Sequence, residues 1–378
     1  MLNAISKFIR ELRRPRLFDS VQVEVTSRCN AKCIMCPRTT LDGWQNGDMP
    51  LDTFLSMATY FKLANHIHLQ GWGEPLLHTE LGKMIQSVKS TNTKVGFTTN
   101  GQLLSSEKAK EYIDLNLDII AVSLAGADKQ SHEAIRMGTD FERIIKNIHD
   151  ISDLKARRRS KLPSVIISFI MLRSNIDQLS KVIELAAGLG ADRIVATNVD
   201  FITCHEIEKL KIFDLKDGNR EEDNYNKLIK SAEKTAAAKK IALKVYPTRS
   251  EEQPVCEADP LNNIYISFDG SVSPCVYLGL PTNSMLRFRD GITTEIGRLC
   301  YGNIKDETIP EIWNKENYSD FRQAFSKRKS ITASLYKNIS CDFEVMEKAD
   351  ELETEYERQL KLKKPPEVCL GCYKLFGI

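Results

Sequence analysis

Short apolar runs alternate with amphipathic segments over about the first two hundred residues of the chain. The runs are rich in valine and isoleucine and have the length of buried strands. Six runs are predicted to be strands: Val21–Thr26, His66–Gln70, Lys94–Thr98, Leu117–Ser123, Ser164–Ile170 and Arg193–Thr197. Helical spacing of apolar residues marks the segments between them, at about 51–63, 78–90, 104–115, 140–157 and 176–188. Repeated strand–helix units predict an α/β fold with a parallel sheet and helices packed outside it.

The pattern changes after residue 205. A charged stretch, Lys209–Arg220, leads into a polar helix near 222–240 and a short strand, Ile241–Tyr246. Apolar residues then alternate from Asn263 to an Asp-Gly pair at 269–270, which is typical of a hairpin turn. Helices are predicted near 306–328 and 342–363. We therefore expect a core at 18–205, a joining region at 206–250 and a smaller α+β module at 251–378.

Residues 1–17 are predicted to form a separate N-terminal element. Its apolar side chains alternate with basic ones at helical spacing, which indicates an amphipathic helix. This helix could cap the core or touch a membrane surface transiently. The sequence shows neither an apolar run long enough to cross a bilayer nor a signal-peptide core, so we expect a cytoplasmic protein without stable membrane insertion.

The composition argues against nucleic-acid binding and in favour of metal binding. The 378 residues are 42% hydrophobic, enough for one large unit and a smaller module. Lys and Arg number 53 against 51 Asp and Glu, so the net charge of +2 offers no broad basic surface for nucleic acid. Five of the ten cysteines form a Cys-x3-Cys-x2-Cys set and a late Cys-x2-Cys set. In a reducing compartment such clustering indicates metal binding rather than disulfides.

The first cysteine set follows the first predicted strand. Cys29, Cys33 and Cys36 lie on one loop, where three thiolates can hold three irons of a 4Fe–4S cluster and leave the fourth iron open. The segment Gly71–Pro75 follows the second strand, and Ser123 closes the fourth. Functional residues of such folds gather where the parallel strands end, so these features are expected on one rim.

Together, the cysteine set and the Gly71–Pro75 segment resemble the radical S-adenosylmethionine (SAM) superfamily over about residues 18–200. The resemblance implies a partial (β/α)6 TIM-like barrel and a SAM-binding 4Fe–4S cluster. One electron, from a reducing partner such as ferredoxin or flavodoxin, would then cleave SAM to a 5′-deoxyadenosyl radical that abstracts substrate hydrogen. Two positions depart from the usual pattern: Trp72 replaces a glycine of Gly-Gly-Glu-Pro, and Met35 replaces an aromatic residue before the third cysteine.

The resemblance also implies the cofactor contacts. Gly71 and Gly73 would expose bare backbone to SAM, Glu74 would help to hold its methionine amino group, and Pro75 would fix the exit of the loop.

Four further side chains are candidates by the same resemblance. Ser123 and Ser168 occupy positions that resemble ribose or methionine contacts, and a structural role is the alternative for each. Arg136 and Arg173 are candidates to pair with the SAM carboxylate, because arginine makes bidentate contacts with carboxylates. A solvent-exposed role is the alternative for each arginine.

The tail resembles the cysteine-rich extensions called SPASM and, in shortened form, Twitch. It contains six cysteines, at 256, 275, 300, 341, 369 and 372, whereas two fully thiolate-bound clusters would need eight. One auxiliary 4Fe–4S cluster is therefore expected, with Cys256, Cys275, Cys369 and Cys372 as ligands. Cys341 or Cys300 could replace one of them, and structural zinc is the alternative occupant of this site.

These features predict a radical SAM oxidoreductase or maturase that acts on a peptide, sugar or cofactor substrate. One alternative is a protein that modifies the tungsten or molybdenum pterin cofactor. Another is a non-catalytic iron–sulfur protein that transfers electrons or binds a partner. Asp200, His205 and Arg249 are possible pocket residues, with structural or solvated roles as the alternative.

Overall fold

The computed structural model describes residues 16–214, 220–282, 284–335 and 349–378. Residues 1–15 of the predicted N-terminal helix and Cys341 lie outside the described residues. No helix in these ranges is both long and apolar enough to span a bilayer.

Seven parallel strands of the main sheet lie beside their neighbours in chain order. They are β1 (Phe18–Val23), β2 (Ala64–His68), β3 (Lys94–Thr99), β4 (Ile119–Leu124), β5 (Ser164–Met171), β6 (Arg193–Asn198) and β7 (Ala242–Val245). The first six confirm the predicted strands. The seventh confirms the short strand predicted at Ile241–Tyr246 and extends the sheet, because it pairs with β6 in parallel.

Helices connect these strands. Those of the first half are α1 (Pro37–Thr40), α2 (Leu51–Ser56), α3 (Leu81–Lys89), α4 (Ser106–Asp114), α5 (Lys129–Ile135), α6 (Phe141–Arg158) and α7 (Leu179–Gly188). The helix predicted at 51–63 is shorter, because α2 ends at Ser56 and a 3-10 helix follows at Ala58–Leu63. Apolar side chains of α6 and α7 are buried in the core, which explains the helical spacing seen in the sequence.

The second half adds five helices and a polar joining segment. The helices are α8 (His205–Glu208), α9 (Arg220–Lys239), α10 (Ile309–Trp313), α11 (Glu316–Leu335) and α12 (Ala349–Leu362). The helix predicted at 306–328 is thus two helices. The first begins at a capping box in which Thr308 and Glu311 satisfy each other's backbone N–H groups.

The C-terminal strands join the same sheet. β8 (Asn263–Ile266) pairs with β1 in parallel, and β9 (Ser271–Ser273) forms the predicted antiparallel hairpin with β8. β12 (Gly302–Asn303) pairs with β9. The turn requires Gly270, whose φ is +90° and whose added Cβ would lie 2.5 Å from Asn303 Oδ1. A separate hairpin consists of β10 (Ser284–Arg289) and β11 (Ile292–Gly297).

The main sheet has the order β12-β9-β8-β1-β2-β3-β4-β5-β6-β7. The α/β class and the smaller cysteine-containing C-terminal module agree with the sequence prediction. Barrel closure is not confirmed, because β12 and β7 remain the two edges of the sheet in the described part of the chain. The carboxyl ends of β1–β6 all lie at one rim, since these strands are parallel.

Candidate active site

The cysteine loop follows β1 and is held by hydrogen bonds to the end of α5. Ile34 N donates to Ile135 O at 3.0 Å, and Lys32 N donates to Met137 O at 2.7 Å, so the last residue of α5 and the segment after it support the loop. Ala31 N lies 3.4 Å from Cys29 Sγ and donates to it. All three thiols are partly buried.

Burial raises the pKa of Cys29, and it raises the pKa of Cys36 to about 12. Cluster binding must therefore release protons at this loop, because iron takes the thiolate form.

The loop after β2 passes very close to the β1 loop. A Cβ added to Gly73 would collide with the Thr26 carbonyl oxygen and lie 2.7 Å from the Arg28 carbonyl oxygen. A Cβ added to Gly71 would collide with the Glu24 side chain. Both positions therefore require glycine for close approach to the β1 loop.

Glu74 is buried and ties this loop to the end of β3. Its Oε1 accepts from Thr99 Oγ1 at 2.6 Å and Leu76 N at 3.1 Å, and its Oε2 accepts from Asn100 N at 2.7 Å. Burial raises the pKa of Glu74, while these hydrogen bonds oppose the rise. The carboxylate thus fixes the rim through its own chain, in addition to its predicted contact with the methionine amino group.

Glu24 is a buried carboxylate that sequence reasoning missed. It follows β1, and its Oε1 accepts from Trp72 N at 2.9 Å. Its Oε2 accepts from Ser267 Oγ at 3.1 Å, directly after β8. Glu24 therefore joins the β2 loop to the C-terminal module. The sequence feature that could have revealed Glu24 is its charge within the apolar run Val21–Thr26.

One cavity of about 330 Å³ brings most of the predicted cofactor residues together. Its lining includes Cys29, Cys33, Cys36, Gly71, Gly73, Glu74, Ser123, Arg136 and Ser168. Ser123 and Ser168 are register partners on β4 and β5, so both reach the rim at the same level. Pro75 is buried in the 3-10 helix that follows the loop.

Arg136 lies against the cysteine loop. Its Nη1 is 3.9 Å from Cys33 Sγ, and its buried Nε has no hydrogen-bond partner in the described residues. A buried, unpaired guanidinium N–H beside the thiols fits an anionic cofactor group. Arg173 does not line this cavity, and its Nη1 pairs instead with Glu221 at 2.7 Å.

A larger cavity of about 540 Å³ adjoins the first. Gln70, Gly71, Trp72, Ile170 and Asp200 line both. The larger cavity then extends past His68 and Asn198 to Cys275. Both volumes are those of small-molecule sites.

Trp72 stands between the two cavities and contacts the C-terminal module. Its indole Nε1 donates to Val276 O at 3.1 Å. Its ring lies 5.7 Å from the ring of Phe201 and 5.9 Å from that of Tyr277. The departure from Gly-Gly-Glu-Pro thus provides an aromatic wall beside Cys275, a role that the loop sequence alone did not reveal.

Asp200 also lies where the cavities meet. Its Oδ2 accepts from Tyr277 OH at 2.7 Å and pairs with Lys374 Nζ at 2.8 Å. Lys374 Nζ also pairs with Glu257 Oε2 at 2.8 Å. The possible pocket role of Asp200 agrees with this placement, whereas His205 and Arg249 line neither cavity.

Four tail cysteines lie near one another. Burial raises the pKa of each of Cys256, Cys275 and Cys369, and that of Cys275 reaches about 12. Cys372 adds to the rise at all three, which places it in the same group. Cys300 is exposed and donates to Gly302 O.

No group of three or more His, Cys, Asp or Glu side chains within the described ranges is arranged to hold a single metal ion. In a 4Fe–4S cluster each thiolate binds its own iron, so the ligands need not converge on one ion. The two cysteine groups, the glycine-lined approach and the unpaired Arg136 Nε fit such a cluster with an anionic cofactor.

Family comparisons agree with both groups. Residues 23–186 match the Radical SAM superfamily, and residues 256–337 match SPASM, described as an iron–sulfur cluster-binding domain. The chain is a radical SAM enzyme with a SPASM extension. The two matched regions contain the three rim cysteines and Cys256, Cys275 and Cys300 of the tail.

Two curated relatives of this radical SAM enzyme cover most of it. The tungsten-containing aldehyde ferredoxin oxidoreductase cofactor-modifying protein of Pyrococcus furiosus is 27% identical over 308 residues, which are 79% of this chain and 82% of that protein. A probable GTP 3′,8-cyclase of Saccharolobus islandicus is 27% identical over 277 residues, which are 69% of this chain and 84% of that protein.

Solved structures share the fold. SuiB of Streptococcus suis bound to S-adenosylmethionine superposes with a TM-score of 0.60 at 14% identity, covering 85% of this enzyme and 72% of SuiB. Native anSMEcpe with bound AdoMet gives a TM-score of 0.57 at 18% identity, covering 81% and 83% of the two chains. At these identities the superpositions establish the fold of the radical SAM enzyme.

Proposed function

We propose that this radical SAM enzyme oxidises or matures a compact polar substrate, held in the 540 Å³ cavity between the rim cysteines and Cys275. The substrate would be a small molecule or a peptide side chain. The proposal is supported by the shared lining of the two cavities, which have five residues in common, Trp72 and Asp200 among them. A substrate in the larger cavity would thus lie beside the smaller one and also reach the auxiliary cysteines.

When bound, the cluster and SAM would supply radical chemistry for removing a hydrogen atom from the substrate. The chain itself holds the reactants. Cys29, Cys33 and Cys36 are our proposed ligands of the first cluster. Arg136 would pair with the SAM carboxylate, because its Nε is buried and unpaired. Positioning of the reacting atoms is the main demand on these side chains.

The lining of the larger cavity supports a polar substrate. Gln22, Gln70 and Asn198 offer amide groups, and Asn198 Oδ1 is buried without a partner in the described residues. Burial lowers the pKa of His68, so its ring is neutral near pH 7 and can both donate and accept. Buried polar groups of this kind favour binding of a ligand that completes their hydrogen bonds.

We propose Cys256, Cys275, Cys369 and Cys372 as the ligands of one auxiliary 4Fe–4S cluster. Their mutual proximity and burial support this set, whereas Cys300 is exposed. Cys341 lies outside the described residues and is the remaining alternative. The cluster would accept an electron from the substrate, and a ferredoxin or flavodoxin would supply the electron that starts the reaction.

A second candidate substrate is the tungsten or molybdenum pterin cofactor. The P. furiosus relative supports it, because that protein is named as modifying a tungsten enzyme's cofactor and its match spans 79% of this chain. A pterin is a compact polar ring system and would suit the amide-rich cavity.

Anaerobic reconstitution followed by reduction with dithionite tests the proposal. The wild type should hold about eight irons per chain and convert SAM to 5′-deoxyadenosine. A variant with Cys29, Cys33 and Cys36 changed to alanine should retain about four irons and release no 5′-deoxyadenosine. A variant with Cys256 and Cys275 changed to alanine should also retain about four irons, yet still cleave SAM.

Cys300→Ala is the matched control, because it removes an exposed tail thiol that lies outside the proposed ligand set. It should keep about eight irons. Loss of the auxiliary cluster in this control would contradict the ligand assignment. Full iron content without any 5′-deoxyadenosine in the wild type would contradict the enzymatic proposal.

A further inference from the structure

Arg287 is a buried arginine on β10 that clamps the Cys369 loop. Its side chain is 4% exposed. Its Nη1 donates to Val368 O at 2.9 Å and to Leu370 O at 3.3 Å. These carbonyl groups belong to the residues on either side of Cys369, so the guanidinium is held directly against the ligand loop.

The other end of the guanidinium is unsatisfied. Arg287 Nη2 is buried and has no hydrogen-bond partner, and no carboxylate forms a salt bridge with Arg287, within the ranges that the structure describes. A buried cation without a counter-charge is costly, because water has been removed and no anion replaces it. An anionic partner nearby would lower this cost.

The nearby anions would be the auxiliary thiolates. Arg287 acts on Cys275 and on Cys369, since its charge lowers the pKa of both thiols against the larger effect of burial. The cluster with four thiolates is negatively charged as a whole. It would therefore supply the missing counter-charge at the place where the structure leaves a donor unpaired.

We propose that Arg287 Nη2 donates a hydrogen bond to a thiolate or sulfide of the auxiliary cluster, and that its positive charge raises the reduction potential of that cluster. This inference rests on the proposed auxiliary ligand set. Arg287 would raise the reduction potential because the reduced cluster carries one more negative charge than the oxidised cluster. The cation therefore stabilises the reduced state more.

Arg289 on the same strand offers a matched control. Its guanidinium lies over the Phe376 ring at 3.8 Å and the Tyr373 ring at 5.1 Å, and its Nε pairs with Asp290 at 3.3 Å. It therefore has a counter-charge and aromatic contacts of its own. Arg289→Met removes the same charge from β10 without removing the unpaired donor.

The test is a redox titration in which electron paramagnetic resonance measures the midpoint potential of the auxiliary cluster. The parent is the full-length protein with Cys29, Cys33 and Cys36 changed to alanine, so that only the auxiliary cluster contributes. Arg287→Met should lower the equilibrium constant for one-electron reduction at least tenfold, which corresponds to a midpoint about 59 mV lower. Arg287→Lys, which keeps the charge, should remain closer to the parent, and Arg289→Met should match it.

Equal shifts in Arg287→Met and Arg287→Lys, or no shift in either, would overturn the proposal in favour of a purely structural clamp. If Arg287→Met loses the cluster iron, retention of iron by Arg287→Lys still supports a role for the charge, and loss from both overturns it. A parent without iron would instead contradict the auxiliary ligand assignment, which separates the two failures.

Discussion

At the scale of single residues, two buried carboxylates shape the rim. Glu74 holds the β2 loop to the end of β3, and Glu24 holds the same loop to Ser267. Burial raises the pKa of both groups above 4.5. Each carboxylate is held by donors of its own chain, which offset part of the cost of burying it.

Glu24 should make stability depend on pH. Its pKa is raised in the folded protein, so folding favours the protonated form, and this contribution is fully present below the unfolded pKa of about 4.5. It is lost as pH rises toward the folded pKa. We expect the wild type to lose stability relative to Glu24→Gln as pH increases above 4.5, measured by urea unfolding of both proteins.

The comparison with Glu24→Gln cancels the contributions of Glu74 and of the cysteine thiols, which both proteins share. The two stabilities should lie closest at the acidic end of the range. A difference that is constant with pH, or that grows as pH falls, would show that Glu24 does not titrate in this way.

Sequence reasoning found the residues whose chemistry is unusual. Three cysteines on one loop, two glycines and a Glu-Pro pair have few ordinary explanations together, and the structure gathers all but Pro75 around one cavity. It missed Glu24, because a single charge in an apolar run is also compatible with an exposed edge. It named Arg173 as a candidate beside Arg136, with a solvent-exposed role as the alternative, since spacing alone does not show that Glu221 pairs with it.

At the scale of elements, the loop after β2 depends on contact with the loop after β1. Gly73→Ala should displace it, because the added Cβ would meet two backbone carbonyl groups rather than a flexible side chain. We expect the affinity for SAM to fall at least tenfold, or about 1.4 kcal/mol, measured by isothermal titration calorimetry under anaerobic conditions.

Gly188→Ala is the control for this substitution. Gly188 ends α7, and nothing lies within 4 Å of an added Cβ. SAM binding should be unchanged, and alanine should raise helix stability by up to about 1 kcal/mol. Equal affinity in Gly73→Ala and Gly188→Ala would show that the close approach at Gly73 is not needed for binding.

Element prediction succeeded where one face or both faces of an element are buried. The six central strands carry apolar runs because helices or loops cover them. The prediction failed to separate α2 from the following 3-10 helix, since both bury residues of one apolar face, Phe54 and Phe61. It also missed α5, a seven-residue helix that Asp128 caps through Ser131 N and whose pattern is too short to detect.

At the scale of the whole molecule, the C-terminal module completes the sheet. β8 pairs with β1, and Ser20 N donates to the side chain of Asn263, 243 residues away. Removing residues 251–378 would expose a complete edge of β1 and leave the buried Glu24 without Ser267. An unpaired edge next to an apolar core favours aggregation.

We therefore expect a chain that ends at residue 250 to elute as aggregates in size-exclusion chromatography and to lose SAM binding. The full-length Cys256→Ala/Cys275→Ala variant separates loss of the cluster from loss of the strand, and it should remain monodisperse. A truncated chain that is monodisperse and binds SAM with wild-type affinity would contradict the structural dependence on β8.

The sequence predicted a hairpin at 263–275 but gave no sign of its partner. Local alternation specifies that a segment is a strand, and the Asp-Gly turn specifies its hairpin. Neither specifies a parallel neighbour more than two hundred residues away, because that pairing depends on the whole packing. The same limit applies to Trp72, whose contact with Val276 depends on this pairing.

The β1–β8 pairing has a consequence for how this enzyme can diversify. The rim cysteines follow β1 and Cys275 follows the β8–β9 hairpin, so hydrogen-bonded backbone sets the spacing of the two proposed iron–sulfur centres. A slip of one residue would turn every side chain of β8 to the opposite face, which makes intermediate spacings inaccessible. New substrates must therefore be accommodated by exchanging the side chains that line the cavities, while the distance for electron transfer between the two centres stays constant.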